Sequence, residues 1–272
     1  MVAKLTIENV SHAFGSPGGR RALRVLDDVS LSVEAGEFIS VIGASGSGKT
    51  TLLRVIAGLE SPSAGAVLVD GEKRSGPGGK MGVVFQRDSL WPWRSVLENA
   101  TFGLEMRGVN KAEAGAKAMR YIEMVGLGGF ETWYPHQLSG GMRQRVNLAR
   151  ALTIEPDILL MDEPFAALDA QTREIMQLEL TRVWRDTGKT ILFVTHQIDE
   201  AVFLSDRVVT LSARPGAVRA TTVIDIPRPR DLRTKRTPEF QAYVGDLWEL
   251  IEAEVMKSFN ARAPAAPAST GS

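Results

Sequence analysis

The segment from Gly43 to Thr50 has the composition and spacing of a phosphate-binding loop. It reads Gly43-Ala44-Ser45-Gly46-Ser47-Gly48-Lys49-Thr50, which fits the pattern G-x-x-x-x-G-K-[ST]. An apolar, strand-like run precedes it and a helical pattern begins at Thr51, which is the context that this pattern requires. Glycines let consecutive backbone N–H groups surround an anion, and the helix N-terminus adds partial positive charge. We therefore expect Gly43 to Thr51 to bind nucleotide phosphates, with Lys49 at the β- and γ-phosphates and Thr50 as a ligand of Mg²⁺.

Two adjacent carboxylates end a second apolar run. Asp162 and Glu163 follow Ile158 to Met161, a run without alternation that is typical of a strand covered on both faces. Ligands of open α/β sheets bind at the carboxyl ends of strands. There Asp162 could hold Mg²⁺ and Glu163 could polarise an attacking water. Alone, such a strand end is more typical of a solvated surface, but together with the phosphate loop it predicts a hydrolase.

A third segment, residues 138–145, places Ser139 as the N-cap and Gly140 and Gly141 at the start of a helix that extends to Leu152. This is a second helix terminus suited to an anion. One nucleotide rarely needs two phosphate cradles unless they come from different subunits. A plain capped helix is the alternative interpretation of this stretch taken alone.

The elements that must position these residues alternate along the chain. β-Branched and apolar runs predict strands at Leu5 to Val10, Phe38 to Ile42, Ala66 to Val69, Met81 to Phe85, Ile158 to Met161, Thr190 to Thr195 and Val208 to Leu211. Amphipathic patterns predict helices at Thr51 to Leu59, Ser95 to Met106 and Ala112 to Val125. Strands that alternate with helices predict an α/β fold with a mostly parallel central sheet. The helical stretch between Gln86 and Leu152 predicts a subdomain inserted into the sequence of that sheet.

The composition changes after Ile226. The segment Pro227 to Arg230 cannot continue a strand ladder, and an apolar stripe from Phe240 to Phe259 then predicts one helix. We therefore divide the chain into a nucleotide-binding unit over residues 1–236, with a helical subdomain at about 87–153, and a helical extension over 237–260. The Ala/Pro/Ser-rich residues 261–272 have no core former, and we expect them to be disordered.

Charge and composition limit the partners. The 272 residues contain 32 Lys and Arg, 32 Asp and Glu, and no cysteine. Zero net charge gives no global attraction to nucleic acid, and the lack of thiols excludes disulfides and cysteine nucleophiles. The N-terminus lacks the apolar core of a signal peptide, and no apolar run approaches the roughly 20 residues that span a bilayer. We expect a protein that does not itself cross a membrane.

Taken together, these motifs resemble those of the ATPase subunit of an ATP-binding-cassette (ABC) transporter, and the resemblance extends from about residue 4 to residue 235. The phosphate loop, Asp162-Glu163 and residues 138–145 resemble that family's Walker A, Walker B and signature motifs. Gln86 matches the Q-loop glutamine, residues 167–169 match the D-loop, and His196 matches the switch histidine. The resemblance implies a P-loop NTPase core with a mostly parallel sheet, N-terminal antiparallel strands and the inserted α-helical subdomain.

The resemblance also implies roles for single residues. Two copies would face each other head to tail, so that each ATP is bound by Walker A of one subunit and capped by Ser139, Gly140, Gly141 and Asp169 of the other. Glu163 would be the general base, and His196 would bridge the γ-phosphate and water. Thr50, Asp162 and Gln86 would bind the metal ion Mg²⁺. Gln86 would also sense the permease.

Phe14, Trp91 and Trp93 each have a structural and a functional interpretation. Phe14 falls where the family places a ring under adenine, although an aromatic residue late in a strand is usually part of a core. Trp91 and Trp93, which follow Gln86 in a Pro-containing loop, either anchor that loop or line a groove for a permease helix.

The form Gly-Gly-Met-Arg-Gln-Arg, with Met142 where the family usually has Gln, resembles the nitrate/sulfonate/taurine importer branch. So do the segments Pro92 to Asn99 and Pro227 to Leu232. This implies a homodimeric, peripheral ATPase on the cytoplasmic face of the inner membrane. It would energise uptake of a small anionic solute through a separate permease. A periplasmic or extracellular solute-binding protein would deliver the solute to that permease.

Three alternatives are weighed against this interpretation, of which the last two belong to other classes. The chain could serve another solute system, act on nucleic acid or ribosomes, or be a non-catalytic regulatory subunit. The 90 positions from Lys49 to Ser139 are too few for the coiled-coil arms of the DNA-acting relatives. The neutral charge also disfavours nucleic acid. A regulatory role is disfavoured because the residues expected to bind and hydrolyse ATP are all present: Lys49, Asp162, Glu163 and His196.

Overall fold

The computed structural model describes residues 3–15, 22–78, 80–86 and 89–260, with side chains as far as residue 256. The tail over 261–272, for which we predict disorder, lies outside the described residues. The strands are β1 Leu5–Phe14, β2 Leu23–Val33, β3 Phe38–Gly43, β4 Ala64–Val69, β5 Glu72–Lys73, β6 Met81–Val84, β7 Ile158–Asp162, β8 Thr190–Val194, β9 Arg207–Leu211 and β10 Val218–Val223. The helices are α1 Lys49–Ile56, α2 Val96–Glu105, α3 Lys111–Met124, α4 Gly140–Thr153, α5 Ala170–Thr187, α6 Ile198–Leu204 and α7 Pro238–Asn260.

A six-stranded sheet of order β10-β9-β3-β8-β7-β6 lies at the centre of the fold. All its pairs are parallel except that of β10 with β9. Every residue of β3, β7 and β8 is buried, as continuous apolar runs predict. Val194 pairs with both Val41 and Asp162, so the carboxyl ends of the three strands meet at one edge. The predicted, mostly parallel sheet is confirmed.

The N-terminal strands form a separate antiparallel sheet of order β2-β1-β4-β5. The family resemblance implies antiparallel strands here, but the strand patterns of the sequence do not predict the run Leu23–Val33, which is β2. Strand β1 continues past Val10 to Phe14, which pairs with Leu23. Shifts of register after Ile7 allow this extension, because bulges bend a strand without ending it.

Helices α2, α3 and α4 lie between β6 and β7 in sequence and pack against one another. Each begins at a side-chain cap: Ser95 with Glu98 as a capping box for α2, Asn110 for α3, and Ser139 for α4. Such caps satisfy backbone N–H groups that have no partner within the helix. The inserted helical block that the sequence predicts is therefore present.

Two apolar clusters lie on opposite faces of the central sheet. The smaller one joins α1, the antiparallel sheet and one face of β3, β7 and β8. The larger one joins the helical block with α5, α6 and α7, and it includes Phe240 and Leu247 from the C-terminal stripe. Among the described residues, no helix has both the length and the apolar character needed to traverse a bilayer.

Candidate functional site: a phosphate cavity at the sheet edge

The loop between β3 and α1 has the backbone of an anion cradle. Gly43, Gly46 and Gly48 have φ angles of 157°, 80° and 92°, which L side chains rarely adopt. At Gly48 a Cβ atom would also lie 2.8 Å from the Leu26 side chain and 3.0 Å from the Val25 carbonyl oxygen. Glycine is therefore required at position 48 by both conformation and packing, since β2 presses directly on the loop.

Lys49 reaches back over this loop. Its side chain is buried, and Nζ donates to the carbonyl oxygens of Gly43 at 2.8 Å and Ala44 at 3.1 Å. Burial lowers the pKa of the Lys49 ammonium, and the nearby carboxylates of Glu163 and Asp162 oppose that shift. The ammonium therefore lies at the loop where the phosphates would bind.

A cavity of about 590 Å³ opens in front of the loop. Its described lining brings together the loop, the strand-end residues Glu163 and His196 and four further side chains: Phe14, Leu23, Val25, Ser45, Gly46, Gly48, Lys49, Thr50, Thr51, Glu163, His196 and Arg214. Six of the predicted phosphate-binding residues thus share one cavity with the predicted pair Glu163 and His196, whereas Gly43, Ala44 and Ser47 are not part of its described lining. Its size is in the range of small-molecule sites.

Asp162 lies at the end of β7 behind the cavity, where Thr50 Oγ1 donates to its Oδ1 at 3.1 Å. Burial raises the pKa of the Asp162 carboxyl, and the hydrogen bond from Thr50 opposes the shift. A hydroxyl beside a carboxylate supplies the hard oxygen ligands that Mg²⁺ takes when substrate phosphates complete its coordination. The residues present therefore fit this ion.

Glu163 and His196 face each other across the ends of β7 and β8. His196 Nδ1 lies 3.0 Å from Glu163 Oε2, with side-chain exposures of 53% for His196 and 19% for Glu163. The backbone of Glu163 has φ 45°, a sparsely populated conformation for this residue type, and its N–H donates to the Val194 carbonyl oxygen at 2.8 Å. The pair is thus fixed at the cavity wall, where a carboxylate and an imidazole can together orient water.

A buried polar network lies directly behind His196. Thr195 Oγ1 donates to Glu200 Oε2 at 2.7 Å and accepts from the backbone N–H of Gln197 at 3.0 Å. Gln177 Nε2 donates to Glu200 Oε1 at 3.2 Å. Burial raises the pKa of Glu200, although both hydrogen bonds favour its ionised form. The loop that carries His196 is therefore held by a carboxylate that is 3% exposed.

Arg173 on α5 connects this network to the turn before Asp169. Its guanidinium donates to the carbonyl oxygen of Leu168 at 2.8 Å and to Oε1 of Gln197 at 3.0 Å. Its Nε lies 3.7 Å from Glu200 Oε1. One side chain thus fixes two loops relative to each other, a role that no sequence pattern indicates.

The predicted signature residues lie at the start of α4 and are not part of the described lining of the phosphate cavity. Ser139 caps α4, since its Oγ accepts from the Met142 N–H at 3.2 Å. Ser139 and Gly140 are exposed, but Gly141 is buried, and a Cβ there would lie 2.6 Å from Thr172 Cγ2 of α5. The Met142 side chain packs against the larger apolar cluster, which gives this departure from the family pattern a structural role.

Asp169 and Gln86 also lie outside the described cavity lining. Asp169 is the exposed N-cap of α5, and its carboxylate accepts from the N–H and the hydroxyl of Thr172 at 3.0 and 2.7 Å. The backbone hydrogen bond lowers the pKa of Asp169. Gln86 is exposed and lines a different pocket, beside Gly140 and Pro164. Their roles in binding Mg²⁺ and ATP stay predictions.

Trp91 and Trp93 form an aromatic pair at the surface of the helical block. Their ring centroids are 5.3 Å apart, and Trp91 also lies 5.4 Å from Phe102 of α2. Trp91 is 36% exposed, whereas Trp93 is 67% exposed and lines a pocket between α2 and α3. Trp91 thus packs on Phe102, whereas most of Trp93 is exposed to solvent, and the role of both residues in contacting a permease stays a prediction.

Phe14 lies at the mouth of the cavity, where it is 44% exposed and makes an edge contact with His12. Its stacking on adenine stays a prediction. Leu23, Val25 and Arg214 also line the cavity and were missed from the sequence. For Arg214 the available signal was a Pro-Gly turn after an apolar run, which predicts the turn but not what it contacts.

The fold and the site together define a P-loop nucleoside triphosphatase: an open, mainly parallel sheet with a glycine-rich strand-to-helix loop and a carboxylate at the end of a second strand. Comparisons with known proteins agree with this class. The model of the ABC transporter family matches residues 26–166. The chain belongs to that family, whose ATP-binding subunits are ATPases.

Several relatives match almost the whole chain. An uncharacterized ABC transporter ATP-binding protein of Methanocaldococcus jannaschii is 53% identical and the match covers 95% of each chain. The nitrate import ATP-binding protein of Synechocystis sp. is 45% identical, with 86% of this chain and 90% of that protein covered. The taurine import ATP-binding protein of Pseudomonas aeruginosa is 44% identical, with 93% and 99% covered.

A solved structure is also similar. It is a dimeric ATP-binding cassette in a post-hydrolysis state with ADP and phosphate bound, which matches with a TM-score of 0.72 and 32% identity over 82% of this chain and all of that one. The resemblance to ABC transporter ATPases and to the nitrate and taurine importers is thereby confirmed.

Proposed function

We propose that this ABC ATPase is the subunit that energises import of a small anionic solute of the nitrate, sulfonate or taurine type through a separate permease. One observation carries the catalytic part: a single cavity brings the phosphate loop and Lys49 together with Glu163 and His196. The names of the relatives, nitrate import and taurine import, support the class of solute.

Within one subunit, the loop N–H groups and Lys49 bind the phosphates, and Phe14 stacks on adenine. Thr50 and Asp162 would hold Mg²⁺, helped by Gln86, and the ion would neutralise charge on the phosphate oxygens. Glu163 accepts a proton from the attacking water, and His196, 3.0 Å away, orients Glu163 and contacts the γ-phosphate. Backbone donors of the loop would lower the barrier by electrostatic stabilisation of the phosphate oxygens.

A second copy of the chain completes the site. Ser139, Gly140, Gly141 and Asp169 lie outside the described lining of their own subunit's cavity. The exposed start of α4 presents N–H groups and the positive end of a helix dipole, which suit a terminal phosphate from another subunit. The dimeric form of the similar cassette supports this assembly.

The remaining partners follow from the importer assignment. Movement of Gln86 and the surface around Trp91 and Trp93 would couple ATP-driven dimer closure to a permease helix. The permease would receive the solute from a periplasmic or extracellular binding protein. The ATPase would then be attached peripherally to the cytoplasmic face of the inner membrane, with no nucleic acid partner.

The general base is tested by Glu163→Gln, which keeps the size of the side chain but not its basicity. We expect steady-state ATP hydrolysis to fall at least about a hundredfold, in line with the usual contribution of a general base, while ATP binding persists. Asp199→Asn, an exposed acidic residue in the first turn of α6, is the matched control. Unchanged turnover in Glu163→Gln would remove Glu163 from this role.

The shared site is tested by mixing subunits. Lys49→Ala and Ser139→Ala should each abolish turnover, but in a mixed dimer one of the two sites keeps both Lys49 and Ser139. Partial activity in the mixture is therefore expected. A Ser139→Ala protein as active as the wild type would contradict a site built from two chains.

The solute is tested by uptake of labelled nitrate and taurine in cells that express the chain together with the permease and binding protein of a nitrate or taurine import system. Uptake of one anion that depends on Glu163 is expected. If neither anion nor an alkyl sulfonate is taken up, the proposed solute class is wrong, although the ATPase assignment remains.

A further inference from the structure

The turn between β9 and β10, residues 212–217, places a positively charged side chain, that of Arg214, at the phosphate cavity. Arg214 is exposed and lines the cavity beside Gly46. Its Nε donates to the Gly46 carbonyl oxygen over a long 3.4 Å, and a Cβ on Gly46 would meet its Nη2 at 3.4 Å. Within the described part of the chain, no carboxylate lies within ion-pair distance of this guanidinium. A positive charge thus lies beside the anion cradle without a strong partner.

The position of this turn is fixed by contacts with β2 and the phosphate loop. Gly216 N–H donates to the Val25 carbonyl oxygen at 2.8 Å, and Asp27 N–H donates to the Gly216 carbonyl oxygen at 2.9 Å. A Cβ on Gly216 would lie only 2.0 Å from the Ser47 carbonyl oxygen. The backbone of the turn therefore packs directly on the backbone of the phosphate loop, and these contacts fix the position of the turn from which the Arg214 side chain extends.

The C-terminal helix holds the other side of the turn. Glu254 of α7 is 5% exposed, and its Oε2 accepts from the Ala213 N–H at 3.1 Å. Its Oε1 lies 3.7 Å from Arg219 Nε on β10. A buried carboxylate of α7 thus accepts a hydrogen bond from the residue next to Arg214 and links this helix to the turn.

From this arrangement we infer that Arg214 is a nucleotide-contacting residue that binds a phosphate oxygen of ATP, and that Glu254 is a positioning residue for it. The inference rests on the proposed ATPase site. A guanidinium beside the loop adds a charge-assisted, planar contact that the point charge of Lys49 does not supply. The helix α7 thereby becomes part of the support of the nucleotide site as well as of the core.

Binding of adenosine, AMP and ADP to the full-length chain, measured by calorimetry with Mg²⁺ present, tests the contact. Arg214→Gln should weaken ADP binding about tenfold, which corresponds to about 1.4 kcal/mol, and adenosine binding less than twofold. Arg214→Lys should lie between Gln and the wild type, and Arg236→Gln, an exposed arginine outside the cavity lining, should match the wild type. The KM for ATP should rise in Arg214→Gln with little change in kcat.

Two outcomes overturn the inference: unchanged ADP binding in Arg214→Gln, or an equal loss for adenosine, which carries no phosphate. Neither touches the proposed function, because Lys49→Ala tests that separately. If Lys49→Ala bound ADP like the wild type, the phosphate site itself would be wrong.

Glu254 is tested by the pair Glu254→Ala and Glu254→Gln, because the amide oxygen of Gln can still accept from Ala213. We expect several-fold weaker ADP binding in the Ala variant and near-complete rescue in the Gln variant. Combining Glu254→Ala with Arg214→Gln should add no further loss if Glu254 acts through Arg214. Wild-type ADP binding in Glu254→Ala, or additive losses in the double variant, would contradict this role.

Discussion

Replacement of Arg173 by Met separates the structural and catalytic parts of the network behind His196. The methionine has similar length but no charge, so Glu200 loses the cation 3.7 Å away while remaining almost fully buried. Loss of one partner of a buried ion pair costs about 3–5 kcal/mol. Because Arg173 is 22% exposed and Glu200 keeps two other donors, we expect about 3 kcal/mol of lost stability, which includes the hydrogen bond to Leu168.

A double-mutant cycle gives the test. Glu200→Gln alone removes the buried charge and should cost about 1 kcal/mol for one donor left unpaired. The double variant should cost about 2 kcal/mol rather than 4, so the coupling energy between Arg173 and Glu200 is about 2 kcal/mol. Chemical unfolding measures these values, and Arg185→Met, an exposed arginine of the same helix, should change stability by less than about 0.5 kcal/mol.

We expect the effects of these variants on kcat to differ from their effects on stability. Arg173 also joins the carbonyl of Leu168 to the side chain of Gln197, so kcat in Arg173→Met should fall about tenfold, equivalent to about 1.4 kcal/mol, with KM changed less than threefold. Glu200→Gln should recover about 1 kcal/mol of stability in that background but none of the lost kcat. Additive unfolding energies within about 0.5 kcal/mol, or recovery of kcat in the double variant, would refute the reasoning.

Three further predictions concern pH and glycine packing. Because the pKa of Glu200 is raised in the folded state, the stability of the wild type should fall as the pH rises from the ordinary carboxyl pKa through the raised one. The free energy of unfolding of Glu200→Gln, measured over a range of pH, should therefore rise relative to that of the wild type across this interval only; a difference that does not change with pH would contradict this. Gly141→Ala should lower the melting temperature, equivalent to about 1–3 kcal/mol of overpacking, whereas Gly140→Ala, whose Cβ meets nothing closer than 3.9 Å, should not; equal melting temperatures would contradict the close packing of α4 on α5. Gly216→Ala should raise the KM for ATP because its Cβ would clash with the phosphate loop, whereas Gly245→Ala on α7, with nothing within 4 Å, should leave KM unchanged; a normal KM in Gly216→Ala would mean that the loop relaxes freely.

The parts of the site that could be predicted are contiguous in sequence. The phosphate loop is one run of eight residues between a strand and a helix, and Asp162 and Glu163 end another strand. Parallel strands bring their carboxyl ends to one edge, so a sequence that predicts the strands also predicts that these motifs meet there.

The parts that could not be predicted depend on contacts between distant residues. Arg214 and Gly46 are 168 positions apart, and Ala213 and Glu254 are joined only through the packing of α7. Strand β10 has no buried residue, which leaves a weak apolar pattern. In β2 the pair Asp27-Asp28 interrupts the alternation, and Asp28 has φ 52°. Local patterns carry no information about such tertiary contacts.

The two hydrogen bonds from the Lys49 ammonium to the carbonyl oxygens of Gly43 and Ala44 have a consequence for turnover. When the nucleoside diphosphate leaves, the buried Lys49 ammonium would otherwise have no hydrogen-bond partner, which costs free energy. Here the ammonium can replace its phosphate partners with these carbonyl oxygens. The same exchange makes incoming nucleotide compete with the loop's own oxygens, so binding is weaker than the number of donors alone would give. A lysine without these internal acceptors would hold the spent nucleotide longer, and product departure would limit the cycle.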